Sequence, residues 1–189
     1  IPVVIVVNKL DLYGEEQLEK VAEMMMIYEE LGYVVLAASV LKNKGMGKVR
    51  GVLKDKTTVI VGHSGVGKSS LLNELAPEYD LKTSEISEMH DQGVHTTTFA
   101  EMYFLPEGGK VIDTPGIKGL GIVDIEKAEL GNYFTEILKI GEECHFKNCV
   151  HIKEPRCAVK IAVEDEVISA WRYRSYLSMY NEEEQNLYR

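Results

Sequence analysis

Eight residues, GHSGVGKS at 62–69, constrain this chain more than any other stretch. They fit G-x-x-x-x-G-K-[ST], and they lie after a β-branched run at 57–61 and before a helical pattern, SLLNEL. Glycines in such a turn let the backbone bend tightly enough to aim several N–H groups at one phosphate. The following helix adds partial positive charge at its N-terminus. The loop therefore predicts a nucleotide site in which Gly62, His63, Ser64, Gly65, Val66, Gly67, Lys68, Ser69 and Ser70 surround the phosphates. Lys68 bridges the β- and γ-phosphates in this arrangement, and Ser69 holds Mg²⁺.

The surrounding pattern agrees with that site. Residues 2–7 are a continuous apolar run, as expected for a strand covered on both faces. Residues 15–31 carry a helical stripe (Leu18, Val21, Ala22, Met25, Tyr28) ended by Gly32, and the Met24–Met26 run reads as packing at that spacing. Strands are expected again at 33–38 and 57–61, and a hairpin at 98–105 and 110–113 turns through PEGG. Beyond residue 133 the pattern is helical. Strand and helix alternating at this spacing predict an α/β fold with a doubly wound sheet.

Two further segments address the nucleotide. DTPG at 113–116 follows a strand, so Asp113 can reach Mg²⁺ through water and the Gly116 N–H can report a γ-phosphate. GVHTTTF at 93–99 offers Thr97 or Thr98 as a second Mg²⁺ ligand, and the spacing does not choose between them. The residue after Gly116 is Ile117 rather than a glutamine able to orient water, so hydrolysis needs another group. His95 is the candidate, because imidazole accepts a proton near neutral pH; an exposed loop histidine is the alternative.

Near the front of the chain stands NKLD, residues 8–11, at the end of the first apolar run. Alone, Asn-x-x-Asp is common. Beside a phosphate loop it has a mechanism: the Asp11 carboxylate accepts hydrogen bonds from guanine N1–H and the 2-amino group, and adenine leaves it unpaired. Lys9 lies along the base, Leu10 completes the turn, and Asn8 braces neighbouring loops. Ser39 and Gly45, within ASVLKNKG, resemble a second base-contacting loop, although Val40 stands where alanine is usual. The order is base reader, second base loop, phosphate loop, switches: a circularly permuted GTPase, with residues 46–56 joining the former ends.

A separate signal lies at CHFKNCVHIKEPRC. Cys144, Cys149, His151 and Cys157 offer three thiolates and an imidazole, a set suited to a closed tetrahedral Zn²⁺ site. The chain has only these three cysteines, which does not suggest a disulfide framework. A net charge of −9 argues against a chain-wide basic surface for nucleic acid, so any RNA contact must be local, helped by a partner domain, or absent. No apolar run approaches the roughly 20 residues that span a bilayer. No membrane partner and a cytoplasmic location are the expectation.

On NKLDL, GHSGVGKSSLLNEL, GVHTTT, DTPG and CHFKNCVHIKEPRCAVK, with WRYRSYLSMYNE at the C-terminal helix, the chain resembles the small ribosomal subunit biogenesis GTPases, the RsgA/YjeQ/EngC family. The resemblance implies a permuted GTPase domain over 1–132 and a small, mostly helical zinc-binding domain over 133–189. It implies GTP and GDP as ligands with Mg²⁺ and one structural Zn²⁺, stimulation by the small subunit, and contact with the 30S particle and 16S rRNA late in maturation. It gives His95 a catalytic role beside Lys68 and Asp113. A monomer is expected. The family also carries an OB-fold and one more strand and helix ahead of the base reader, neither of which precedes Ile1 here; that strand is expected between strands 57–61 and 2–7.

Overall fold

The computed structural model describes residues 1–81, 101–113 and 125–186, with side chains described as far as Asn181. The chain forms two compact units, Ile1–Gly119 and Leu120–Arg189.

In the first unit, β1 (Val4–Val7) pairs in parallel with β2 (Val34–Ala37), joined by helix α1 (Glu15–Glu30). The helix ends where Gly32 takes φ 88°, a left-handed conformation open to glycine at little cost. After α2 (Met46–Leu53), strand β3 (Thr57–Ile60) leads to α3 (Lys68–Leu75). Strands β4 (Glu101–Phe104) and β5 (Lys110–Asp113) form the expected hairpin, and β5 lies between β3 and β4, parallel to the first and antiparallel to the second.

Among the described residues, five strands make two sheets, β1–β2 and β3–β5–β4, rather than one. Both pack on a common core of Leu36, Met46, Leu53, Leu72, Tyr103 and Val111, with Val6 and Ile60 at its margin. With only β2 beside it among the described residues, β1 has an open edge, and its apolar run is not fully enclosed: Val4 is 38% exposed. Likewise α1 buries none of its residues; Met24 and Met25 are half-covered and Met26 lies in solvent. The interval between β3 and β1 is where the resemblance places a further strand.

The connection at 46–56 is more than a tether. Its α2 buries Met46, Val49 and Leu53 on one face, the i, i+3, i+7 spacing of an amphipathic helix. Arg50 on α2 donates to the Glu74 carboxylate and carbonyl (2.6 and 3.1 Å), tying the joint to α3. The turn at its end fits against the hairpin glycines. Lys110 N–H donates to Lys56 O at 2.7 Å, and a Cβ on Gly109, at φ 102°, would stand 2.6 Å from Leu53 O. Gly109→Ala is therefore expected to destabilise the first unit by about 2 kcal/mol, read from the denaturant midpoint.

The second unit holds a 3-10 segment (Lys127–Tyr133) and helices α4 (Thr135–Gly141), α5 (Ala158–Glu164) and α6 (Ala170–Asn186). Its core joins Leu130, Phe134, Ile137, Val159, Ile168 and Tyr176 to two of the cysteines, Cys144 and Cys157. Arg172 on α6 reaches Glu136 on α4 at 2.7 Å, both about nine-tenths covered, while its guanidinium lies 4.7 Å from the centre of the Phe134 ring. No described helix is long and apolar enough to cross a membrane.

Candidate nucleotide site and metal centre

The β3–α3 turn places the phosphate loop at the carboxyl end of the three-stranded sheet, where open α/β sheets bind ligands. Gly65 and Gly67 take φ 82° and 94°. At Gly67 the requirement is also steric, since a Cβ there would meet Asn8 Nδ2 at 2.6 Å. Lys68 Nζ donates to Gly62 O and His63 O at 2.6 and 2.9 Å, curled over its own loop. Ser69 and Ser70 follow in the first turn of α3.

The base-reading turn meets this loop directly. Asn8 Nδ2 donates to Val66 O at 3.1 Å, and Lys9 Nζ donates to Gly65 O at 2.6 Å. Asn8 also accepts from Val40 N–H at 3.4 Å, so a single side chain links all three loops. Lys9 adopts the left-handed region at φ 65°, turning the chain into the 3-10 segment Leu10–Leu12, and Leu10 N–H donates to Ala38 O. The fully buried Ser39 donates its hydroxyl to Asp11 Oδ1 and accepts from Lys42 N–H at 3.1 Å. One oxygen of Asp11 is thereby fixed. Gly45, at φ 75°, closes the same loop; a Cβ there would fall 2.1 Å from Ala37 O.

Asp113 ends β5 opposite Ile60 of β3. It is only 7% exposed, and its Oδ1 has no hydrogen-bond partner among the described residues. Burial pushes its carboxyl above the ordinary range, and the nearby Lys68 charge pulls it back. A buried, unpaired carboxylate oxygen beside the phosphate loop fits a site for a cation with its water. His95, Thr97, Thr98 and Gly116 lie outside the described residues.

The cysteine cluster fits a metal closely. The ligand atoms of Cys144, Cys149, His151 and Cys157 all lie within 4.8 Å of one another. His151 Nδ1 is 3.5 Å from both Cys144 Sγ and Cys157 Sγ, and these sulfurs are 3.9 Å apart. A tetrahedral zinc with Zn–S of about 2.3 Å and Zn–N of about 2.0 Å requires roughly 3.8 Å between sulfurs and 3.5 Å from sulfur to nitrogen. His145, by contrast, packs edge-on against Phe146 and is not in the cluster.

Several supports of this loop left little trace in the sequence. Gly141 faces the His151 ring, where a Cβ would lie 3.2 Å from Cε1, and Gly131 approaches the same ring. The Glu154 carboxylate accepts from the N–H groups of Val150, Ile152 and Lys153 at 2.9, 2.9 and 3.0 Å. Burial presses Glu154 upward, but these backbone bonds outweigh it and hold the carboxyl below its usual range. From α6, Tyr173 and Tyr176 donate their hydroxyls to His151 O and Val150 O, each at 2.6 Å. The C-terminal tyrosines thus brace the metal loop, which holds His151 at φ 60°. Glu154 had one available signal: it is the sole acidic residue between the last two ligands.

Metal binding here displaces protons. Burial pushes the Cys149 thiol up to about 12, against the His151 N–H beside it, and raises Cys157 as well. Burial also lowers His151, leaving its imidazole neutral and free to coordinate. Free thiols are also protonated at pH 7, so zinc uptake is expected to release about two to three protons whether or not the metal-free loop is folded, measured by calorimetry in buffers of different ionisation enthalpy.

The same architecture occurs in known proteins. Small ribosomal subunit biogenesis GTPase RsgA from Bacteroides fragilis is 47% identical over 189 residues, covering all of this chain and 61% of the relative. The RsgA of Flavobacterium psychrophilum is 50% identical over 179 residues, 95% of this chain and 55% of that one. The chain thus spans about three-fifths of the length of the curated relatives it matches. Among solved structures, YjeQ from Thermotoga maritima superposes with a TM-score of 0.76 at 40% identity, covering 96% of this chain and 59% of that one. YloQ, described as a circularly permuted GTPase, gives 0.75 at 34% identity, over 97% and 57%. With the RsgA GTPase family model matching residues 1–123, and with the permuted order of loops just described, the chain belongs to the RsgA GTPase family.

Proposed function

We propose that this protein hydrolyses GTP to GDP and phosphate in the late maturation of the 30S ribosomal subunit, its nucleotide state switching its hold on the ribosome and 16S rRNA. The observation that supports this reading best is the pair of hydrogen bonds from Asn8 and Lys9 to the phosphate loop. They join the base-reading turn to the phosphate loop, which supports one ligand spanning Asp11 and Lys68. Printed names of relatives supply the ribosomal context.

In this reading residues 1–132 are the GTPase domain and 133–189 the zinc-binding domain. Asp11, fixed by Ser39, accepts from guanine; Lys9 lies along the base plane, and Leu10 completes the turn. Gly62–Ser70 present N–H groups to the phosphates, and Lys68 exchanges its loop carbonyls for phosphate oxygens. Ser69 and one of Thr97 or Thr98 would hold Mg²⁺, with Asp113 acting through water, and the ion would supply positive charge to the phosphates. His95 positions the attacking water and accepts its proton, and Gly116 reports the γ-phosphate. Cys144, Cys149, His151 and Cys157 hold one zinc, a structural ion with no open position. The protein acts in the cytoplasm, as a monomer, without a membrane partner.

GTP turnover with and without purified 30S subunits tests this. Stimulation of about a hundredfold or more, lost in His95→Ala, is the expected result, in the range that positioned acid–base groups contribute, about 10²–10⁴-fold. Equal turnover with and without subunits contradicts the ribosomal reading, and unchanged turnover in His95→Ala removes that residue's role.

A further inference from the structure

At the phosphate edge of the three-stranded sheet, Asp113 does not stand alone. Antiparallel pairing of β4 with β5 sets Glu101 directly across from it. Paired residues in an antiparallel ladder project to the same face, with Cβ atoms about 5 Å apart. Two carboxylates in that position repel, and like charges directly opposite normally destabilise a sheet.

The Lys68 charge offsets part of that repulsion. Its ammonium, however, donates to Gly62 O and His63 O rather than to either carboxylate. Tyr103, two residues along the same face, donates its hydroxyl to Glu101 Oε2 at 2.5 Å, which orients that carboxylate without neutralising it. Asp113 Oδ1, buried, keeps no partner among the described residues. An exposed carboxylate, a buried one and an unsatisfied oxygen at one edge of a sheet are suited to a divalent cation.

We propose that Glu101 is a second carboxylate of the magnesium site, a positioning residue that works with Asp113 to draw the divalent cation to the phosphate edge. It acts through water and through its field, while Tyr103 holds its direction. This rests on the nucleotide-site reading above and adds to it a residue outside the loop and switch motifs. The two carboxylates repel, and a cation between them and the phosphates relieves that repulsion, so cation and nucleotide each favour the other's binding.

The test is the Mg²⁺ dependence of release of a fluorescent methylanthraniloyl-GDP from the whole protein. Glu101→Gln keeps an acceptor for Tyr103 and removes only the charge. It is expected to raise the Mg²⁺ concentration that half-suppresses release by about fivefold, as befits one solvated charge near the ion. Glu101→Asp should restore the midpoint to within about twofold, and Tyr103→Phe, which leaves the charge, should move it less than Glu101→Gln. A Glu101→Gln midpoint equal to the parent's overturns the proposal, as does a Tyr103→Phe shift as large as that of Glu101→Gln, which would make the pair a structural strut. Asp113→Asn separates the two levels. If that variant also leaves the midpoint unmoved, or the parent binds no guanine nucleotide, the nucleotide-site reading fails and the Glu101 proposal with it.

Discussion

Asp11→Asn is expected to weaken GDP binding by about a hundredfold or more while leaving ADP binding as poor as before. The carboxylate offers acceptors to two guanine donors, whereas the amide presents one acceptor and an NH₂ group. That NH₂ would face the 2-amino group of guanine, donor against donor. The change is confined to recognition, because Ser39 donates to Asp11 Oδ1, an interaction an amide oxygen can still accept. A nucleotide carrying a carbonyl in place of the 2-amino group, xanthosine diphosphate, should bind the variant better than GDP does. Fluorescence competition with the three nucleotides measures all of this, and an unchanged GDP affinity would remove Asp11 from the base site.

Stripping the metal should unfold most of the second unit and leave the first intact. Two of the three cysteine ligands, Cys144 and Cys157, lie within the hydrophobic core of that unit, so the ion and the core depend on each other. Without it, three thiols and an imidazole are buried against one another with only weak bonds between them. Structural zinc contributes apparent binding free energies of about 10–16 kcal/mol in small domains, more than such a core supplies alone. Hydrogen exchange after stringent chelation should show protection lost across α4 and α5 and retained in β2, α2 and α3. Cys157→Ser should reproduce the effect. Persistent protection of α5 without metal would mean that Glu154 and the two tyrosine hydroxyls suffice to hold the loop.

The candidate site was legible where it is written in short, local patterns. The phosphate loop, the base-reading turn and the cysteine–histidine cluster each depend on residue types at fixed spacing, and the structure brings the residues of each set together. What was less legible depends on neighbours remote in sequence. The apolar run of β1 promised enclosure, yet enclosure is a property of the strands on either side, and Val4 remains partly in water. Residues 46–56 read as a simple joint because glycines at 45, 47 and 51 obscure the apolar face of α2. The glycines that cradle His151 carry no motif at all. Gly141 ends α4, where glycine is ordinary, and its closeness to a ring ten residues later emerges only from packing. The tyrosines of α6 are similar: their spacing shows a packed face, and only the fold shows that their hydroxyls hold the metal loop.

The central claim is that Asp11 and Lys68 close on opposite ends of one guanine nucleotide. Isothermal titration of the protein with GDP and with ADP, in the presence of Mg²⁺, tests it most directly. One site binding GDP at least about a hundredfold more tightly than ADP, and lost in Lys68→Ala, is the expected outcome. Equal affinity for the two nucleotides, or GDP binding that survives Lys68→Ala undiminished, would contradict it.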